Sequence, residues 1–228
     1  RGRQDLESQG YQSARRARVG AEHHEYLISR DDLVDFLPRM VHLQDEPIAD
    51  PVCVPVYYVS KLAREHGVKV CQVGEGADEL FIGYPNWQAA LARQAFAGLP
   101  VPRLVSRGVV TVLRAAGYGE THQLEALRRA SLGQPLFWGG AEAFTEGEKQ
   151  RLLGPALGGR FASLTSWDAI RPVRERFERA AWDRANVNWM SYLDLNLRLP
   201  ELLLMRVDKM SMGVGLEGRV PFLDHEFV

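Results

Sequence analysis

The stretch KVCQVGEGADELFIGYP, from Lys69 to Pro85, decides the fold. It opens as a short apolar run and then crowds Gly74, Glu75, Gly76, Asp78 and Glu79 into a few positions. Like charges repel, so a strand end carrying three carboxylates needs a reason. If VKVCQV is a buried strand of a parallel sheet, its carboxyl end is where such sheets bind ligands. The glycines let the backbone approach a ligand closely. Amides exposed in such a turn form an anion-binding concavity. Asp78 and Glu79 then open a helix, whose positive dipole end favours carboxylates.

Two readings of this turn stand side by side. One is a site for a triphosphate with Mg²⁺, an ion usually held by one or two carboxylates plus phosphate oxygens. The other is a tight, acidic, solvent-exposed strand–helix connection. The stretch is not a Walker loop, and it misses GxGxxG because the third glycine position falls on Glu79.

The surroundings support an α/β architecture. VYYVSKLAREHG reads as a helix closed by Gly67. Before it, Leu33, Phe36, Leu37, Met40 and Val41 follow helical spacing behind a cap at Ser29 or Asp31, with Pro38 inside. HHEYLIS reads as a short strand. Helix–strand alternation with short connections predicts a parallel sheet whose strands are covered on both faces. His23, His24 and Glu25 suggest a metal at first sight, but neighbours on a strand point to opposite faces. Asp45, Glu46 and Asp50 lie on a proline-punctuated loop that either connects elements or lines a site.

The whole chain, 1–228, reads as part of one domain. Residues 10–90 form an α/β nucleotide-binding portion and 91–190 a mainly helical one. Residues 191–228 form a helix and a segment that returns to the active site. Arg15, Arg16 and Arg18, and the stripe Arg103, Arg107 and Arg114, read as exposed helix faces. Thr145 with Glu148 has the spacing of a capping box.

Composition bounds the rest. With 46% apolar and 25% charged residues, the chain buries a core. A net charge of −1 argues against a bulk electrostatic grip on nucleic acid or anionic lipid. No apolar run of about 18 residues predicts a membrane span. Cys53 and Cys71 make neither a disulfide framework nor a metal motif, so a reducing cytoplasm is the expected location. The chain begins without Met and ends at DHEFV, and we read it as a piece of a longer protein.

The last part, LRLPELLLMRVDKMSMGVGLEGRVPFLDHEFV, is dense in polar markers. Pro200 opens a helix with Leu203, Leu204, Val207, Met210 and Ser211 on its inner face. Arg206 and Lys209, three apart, project from one side and suit phosphate oxygens or a developing negative charge. They are equally compatible with surface pairs to Asp208 or Glu201. Glu217 and Arg219 point the same way if extended, as site residues or as an ion pair.

Taken together, VGEGADELFIGYP and DKMSMGVGLEGRVPFLD resemble the synthetase domain of the glutamine-hydrolysing asparagine synthetase family, with its SGEGxDE–FGGY and DKMSM–SLExRVPFLD stretches. The HHE segment, the DEP–ADP loop and the LP before the last helix resemble it too. The resemblance covers roughly residues 10–90 and 190–228.

It implies an α/β fold of the adenine-nucleotide alpha hydrolase-like, ATP-pyrophosphatase type. It also implies a ligase that uses ATP and Mg²⁺ to adenylate aspartate and then forms an amide with ammonia from glutamine. Val73, Gly74 and Gly76 match ATP-binding backbone positions. Glu75 matches an acidic residue that handles substrate and incoming amine, and Asp78 a ligand of Mg²⁺-pyrophosphate. Arg206 and Lys209 are further catalytic candidates, with Glu79, Glu217, Arg219, Asp45 and Glu46 behind them.

There are departures. Val73 stands for the usual Ser, Ile82 for a Gly, and Gly218 for a small or β-branched residue. The SGGxDS loop of the first strand has no match here, and the glutaminase domain is expected upstream. A relative acting on another carboxylate, in β-lactam closure, peptide cyclisation or sugar amidation, is the alternative; a non-catalytic scaffold is the other. A sheet lacking its first strand exposes an edge, which favours pairing with another copy.

Overall fold

The computed structural model describes residues 20, 22–48, 50–97, 108–113 and 121–228. The basic runs at Arg15–Arg18 and at Arg103, Arg107 and Arg114 lie outside them. The chain divides into two compact units. The first comprises Arg1–Cys71 and Arg206–Arg219, the second Gln72–Met205 and Val220–Val228.

In the first unit, Ser29 caps helix α1 (Arg30–Gln44) in a capping box with Asp32. Two donors of the first turn are thereby satisfied reciprocally. Pro38 sits in the helix interior, and Asp45 closes the helix at φ 63°, a left-handed conformation that Asp tolerates better than most residues. Helix α2 (Cys53–Glu65) packs on α1. Phe36 of α1 stacks on Tyr57 of α2 at 4.1 Å, and Tyr58 Oη donates to the Asp32 carbonyl at 2.9 Å. With Cys53, Val54 and Met210 these rings form the unit's core. Each such buried side chain stabilises by about 1.5–3 kcal/mol.

Among the described residues, strand β1 (Val70–Gln72) pairs with β2 (Glu217–Arg219) alone, in a small parallel sheet. The expected buried strand is therefore three residues long with both ends exposed. HHEYLIS forms no strand: residues 22–29 carry no sheet pairing with any described residue. His23 Nε2 instead meets Glu25 Oε1 at 2.8 Å, a local contact between side chains two apart. The sheet expectation failed in extent because a strand needs ladder partners, and the described residues supply one pair.

The second unit is helical. It contains α3 (Ala77–Phe81), α4 (Pro85–Ala97), a stretch at 108–113, α5 (His122–Ser131), α6 (Glu146–Leu152), α7 (Pro155–Arg160), α8 (Ser166–Ala180) and α9 (Asn186–Asn196). Thr145 and Glu148 make the expected capping box at α6. Helix α8 buries Ile170, Val173 and Phe177, spaced for one face. That face packs with Trp189 and Leu193 of α9 and with Trp138. Pro200 begins not an α-helix but a π-helical segment, Leu199–Leu204, which runs into α10 (Met205–Met212).

Candidate active site

The sequence-derived site residues fall in two groups, one in each unit. In the second unit, Val73 to Gly76 leave β1 as a tight loop. The Gly74 carbonyl accepts from the Ala77 amide at 3.4 Å. Gly76 caps α3 at φ 89°, where L side chains rarely go, and a Cβ there would collide with Leu223. A Cβ on Gly74 would meet nothing within 4 Å, so that backbone is open to a close approach. Glu75 is half-buried and Asp78 exposed. Helix α3 has only five residues, so its dipole is weaker than the sequence suggested.

Neighbouring Asp78 and Glu79 differ in every respect. Glu79 is 1% exposed. Its Oε1 accepts from Tyr84 Oη at 2.5 Å and lies 3.9 Å from Arg198 Nη1, while its carbonyl accepts from Ser191 Oγ at 2.6 Å. Burial, followed by the hydrogen bond to Glu79, pushes the Tyr84 hydroxyl well above its ordinary pKa. Arg198 also lies 4.4 Å over the Tyr84 ring and 3.4 Å from Asp194 Oδ2. Asp194 Oδ1 accepts from the Gly140 amide at 3.0 Å. Burial holds the Asp194 carboxyl above its usual range, outweighing the Gly140 amide and the Arg198 charge.

Two buried carboxylates thus share one guanidinium, and this network anchors α3 to α9. Sequence reasoning missed Asp194 and Arg198. Their acid-then-base spacing of four was the available signal.

Asp78 is turned toward Gly83: a Cβ on Gly83 would overlap the Asp78 carboxylate. Glycine there makes the room the carboxylate occupies. Just before it, Ile82 adopts φ 58°, strained for a β-branched residue. The structure thereby gives a reason for glycine in the resembling motif at a position where this chain departs from it.

In the first unit, Arg206 is buried and pairs with Asp50 at 2.5 Å. Asp50, on the proline-punctuated loop, is a carboxylate that the sequence reading did not pair with Arg206. Lys209 is half-buried on the same helix, α10. Glu217 and Arg219 form an exposed pair at 2.8 Å along β2. Asp45 serves the α1 terminus, and Glu46 is exposed.

Among the described residues, no three His, Cys, Asp or Glu side chains cluster to hold a metal. Nor is any helix long and apolar enough to cross a membrane.

The family model described as asparagine synthase matches residues 5–228. A Mycobacterium bovis protein named putative asparagine synthetase (glutamine-hydrolyzing) is 38% identical over 209 residues, 91% of this chain and 30% of the relative. A Mycobacterium tuberculosis protein of the same name gives the same figures. Bacillus subtilis asparagine synthetase (glutamine-hydrolyzing) 1 is 32% identical over 211 residues, 91% of this chain and 31% of the relative. This chain therefore spans about 30% of the length of these relatives. No solved structure matches it. The chain belongs to the asparagine synthase family.

Proposed function

We propose that the chain is part of an ATP-dependent, amide-forming ligase of the ATP-pyrophosphatase type that converts aspartate to asparagine. One observation carries this reading. The loop and α3 hold Glu79 buried and bonded while leaving Asp78 exposed in space that Gly83 keeps clear. A merely acidic turn gives no reason for that division. The names of the relatives point to the same product.

In the proposed reaction a side-chain carboxylate oxygen of aspartate attacks the α-phosphorus of ATP, and pyrophosphate leaves. Ammonia then attacks the acyl carbon, and AMP departs. The open backbone at Gly74, flanked by Val73 and Gly76, lies along the nucleotide. Glu75 orients the ammonia and takes up the proton that it loses. Arg206, committed to Asp50, positions its helix.

A single exposed carboxylate fits Mg²⁺ only when phosphate oxygens and water complete the shell. Asp78 meets that condition and would hold the ion; bound Mg²⁺ supplies charge neutralisation for pyrophosphate. A glutaminase domain elsewhere in the protein supplies the ammonia.

The test is pyrophosphate release by the full-length protein with ATP, ammonia and a panel of carboxylates. Release that depends on aspartate is expected. Release with another carboxylate but not aspartate would reassign the acceptor. In Asp78→Asn, release is expected to disappear with the fold retained; retained release removes Asp78 from the site.

A further inference from the structure

Helix α3 has five residues, too few to be stable by itself. Its position therefore comes from what packs on it. One anchor is Glu79, buried and bonded to Tyr84, with its carbonyl accepting from Ser191 Oγ. A second set of contacts comes from a short segment of the same unit, residues 221–227.

This segment meets α3 at both ends. At the N-terminal end lies Gly76, the buried cap residue, and the Leu223 side chain fills the space that a Cβ on Gly76 would take. At the C-terminal end Phe81 meets Phe222 and Phe227 edge-on, with ring centroids 6.1 and 6.3 Å apart. Phe222 and Phe227 meet each other in the same way at 5.9 Å. Edge-to-face contact is a geometry that aromatic pairs prefer.

The segment is braced for these contacts. Pro221–Leu223 is a 3₁₀ turn in which the Leu223 amide donates to the Val220 carbonyl at 3.0 Å. A second turn follows at once. The Phe227 amide donates to the Asp224 carbonyl at 3.0 Å, and Asp224 Oδ1 accepts from the Glu226 amide at 2.8 Å. Two successive turns thus bring Phe222, Leu223 and Phe227 onto one short helix. Asp78 lies between the two gripped ends and is exposed.

We propose that residues 221–227 are a clamp that sets the position of α3, and that Leu223 is thereby a positioning residue for Asp78. The positioning role rests on the adenylation reading above; the clamp itself does not. Glu79 alone leaves a five-residue helix free to pivot about its anchor. Contacts at both ends remove the pivot, and a shift of about 1 Å at reacting groups costs about a hundredfold in rate.

The experiment compares Leu223→Ala and Leu223→Met with the parent in the intact protein. Amide hydrogen exchange is read at Leu80 and Gly83, whose N–H groups donate to the Gly76 and Asp78 carbonyls, and along α8 and α9 as a reference. Leu223→Ala is expected to speed exchange at Leu80 and Gly83 by at least about tenfold while α8 and α9 keep the parent's rates. Aspartate-dependent pyrophosphate release per folded molecule is expected to fall about tenfold or more, with more Mg²⁺ needed for half-maximal release. Leu223→Met conserves volume and is expected to stay within about threefold of the parent on both readouts. Should Leu223→Ala fail to fold, Phe227→Ala carries the test, because that ring is 57% exposed. Exchange at Leu80 and Gly83 equal to the parent's overturns the clamp. So does faster exchange throughout the unit, which marks a merely structural Leu223. Release by Leu223→Ala equal to the parent's, or Leu223→Met as slow as Leu223→Ala, overturns the positioning role. A parent protein that releases no pyrophosphate overturns the adenylation reading and the positioning role with it, and the exchange measurement then decides the clamp alone.

Discussion

Replacing Arg198 by methionine keeps the length of the side chain and removes its charge. Arg198 Nη1 lies 3.4 Å from Asp194, which is 0% exposed, and 3.9 Å from Glu79, which is 1% exposed. Arg198 itself is 18% exposed. Arg198→Met leaves two buried carboxylates without their shared cation. Removing one partner of a buried pair costs about 3–5 kcal/mol. Against a typical total of about 5–15 kcal/mol, that is a large fraction. For a chain of this size the melting temperature falls by roughly 6–20 °C.

Urea unfolding followed by circular dichroism measures the loss directly. The loss also depends on pH. Asp194 is already held above its usual range by burial, and losing Arg198 pushes it further up. A carboxyl raised in the folded state contributes stability below its unfolded pKa of about 3.9 and loses it as pH rises through the folded value. The deficit of Arg198→Met therefore grows between about pH 4 and pH 7. A loss under about 1 kcal/mol, the size seen for exposed pairs, refutes the shared-guanidinium reasoning. So does a deficit that does not change with pH.

Three further predictions address the loop and α10. Gly76→Ala forces a Cβ into a left-handed position and onto Leu223, so it destabilises by at least about 1–2 kcal/mol. An unchanged melting temperature would falsify that geometry. Gly83→Ala displaces the Asp78 carboxylate. Pyrophosphate release then drops by about a hundredfold while stability moves little, because a misplacement of about 1 Å has that effect on rate. Equal release by Gly83→Ala and the parent protein would remove the Gly83 cradle from the mechanism. Arg206→Met and Asp50→Asn each destabilise by about 3 kcal/mol, and the double variant loses clearly less than their sum. Additive losses mean the two side chains do not act as a pair.

The acidic loop was legible because glycine and carboxylate leave marks in the sequence itself. Gly74 to Glu79 could be placed at a strand end and a helix start from residue types alone, and the structure puts them there. The helix caps at Ser29 and Thr145 were legible for the same reason, since capping depends on residues three apart. The extent of the sheet was not. Val70 and Cys71 have the composition of a buried strand, but burial depends on what covers a strand. Among the described residues one short partner, β2, supplies the whole ladder.

Sequence alone therefore determined the family and the position of its acidic loop, because long motifs in the right order are local patterns. It could not divide the labour of two adjacent acids. Asp78 and Glu79 are chemically near-equivalent in a string of letters. Only the folded structure turns Tyr84, five residues on, and Ser191 and Arg198, far along the chain, onto one of them. Glu79 is thereby desolvated and locked, and Asp78 is left outside. The same holds for Arg206. The partner that decides its role, Asp50, lies 156 residues away, and an ion pair at that separation exists only once the chain has folded.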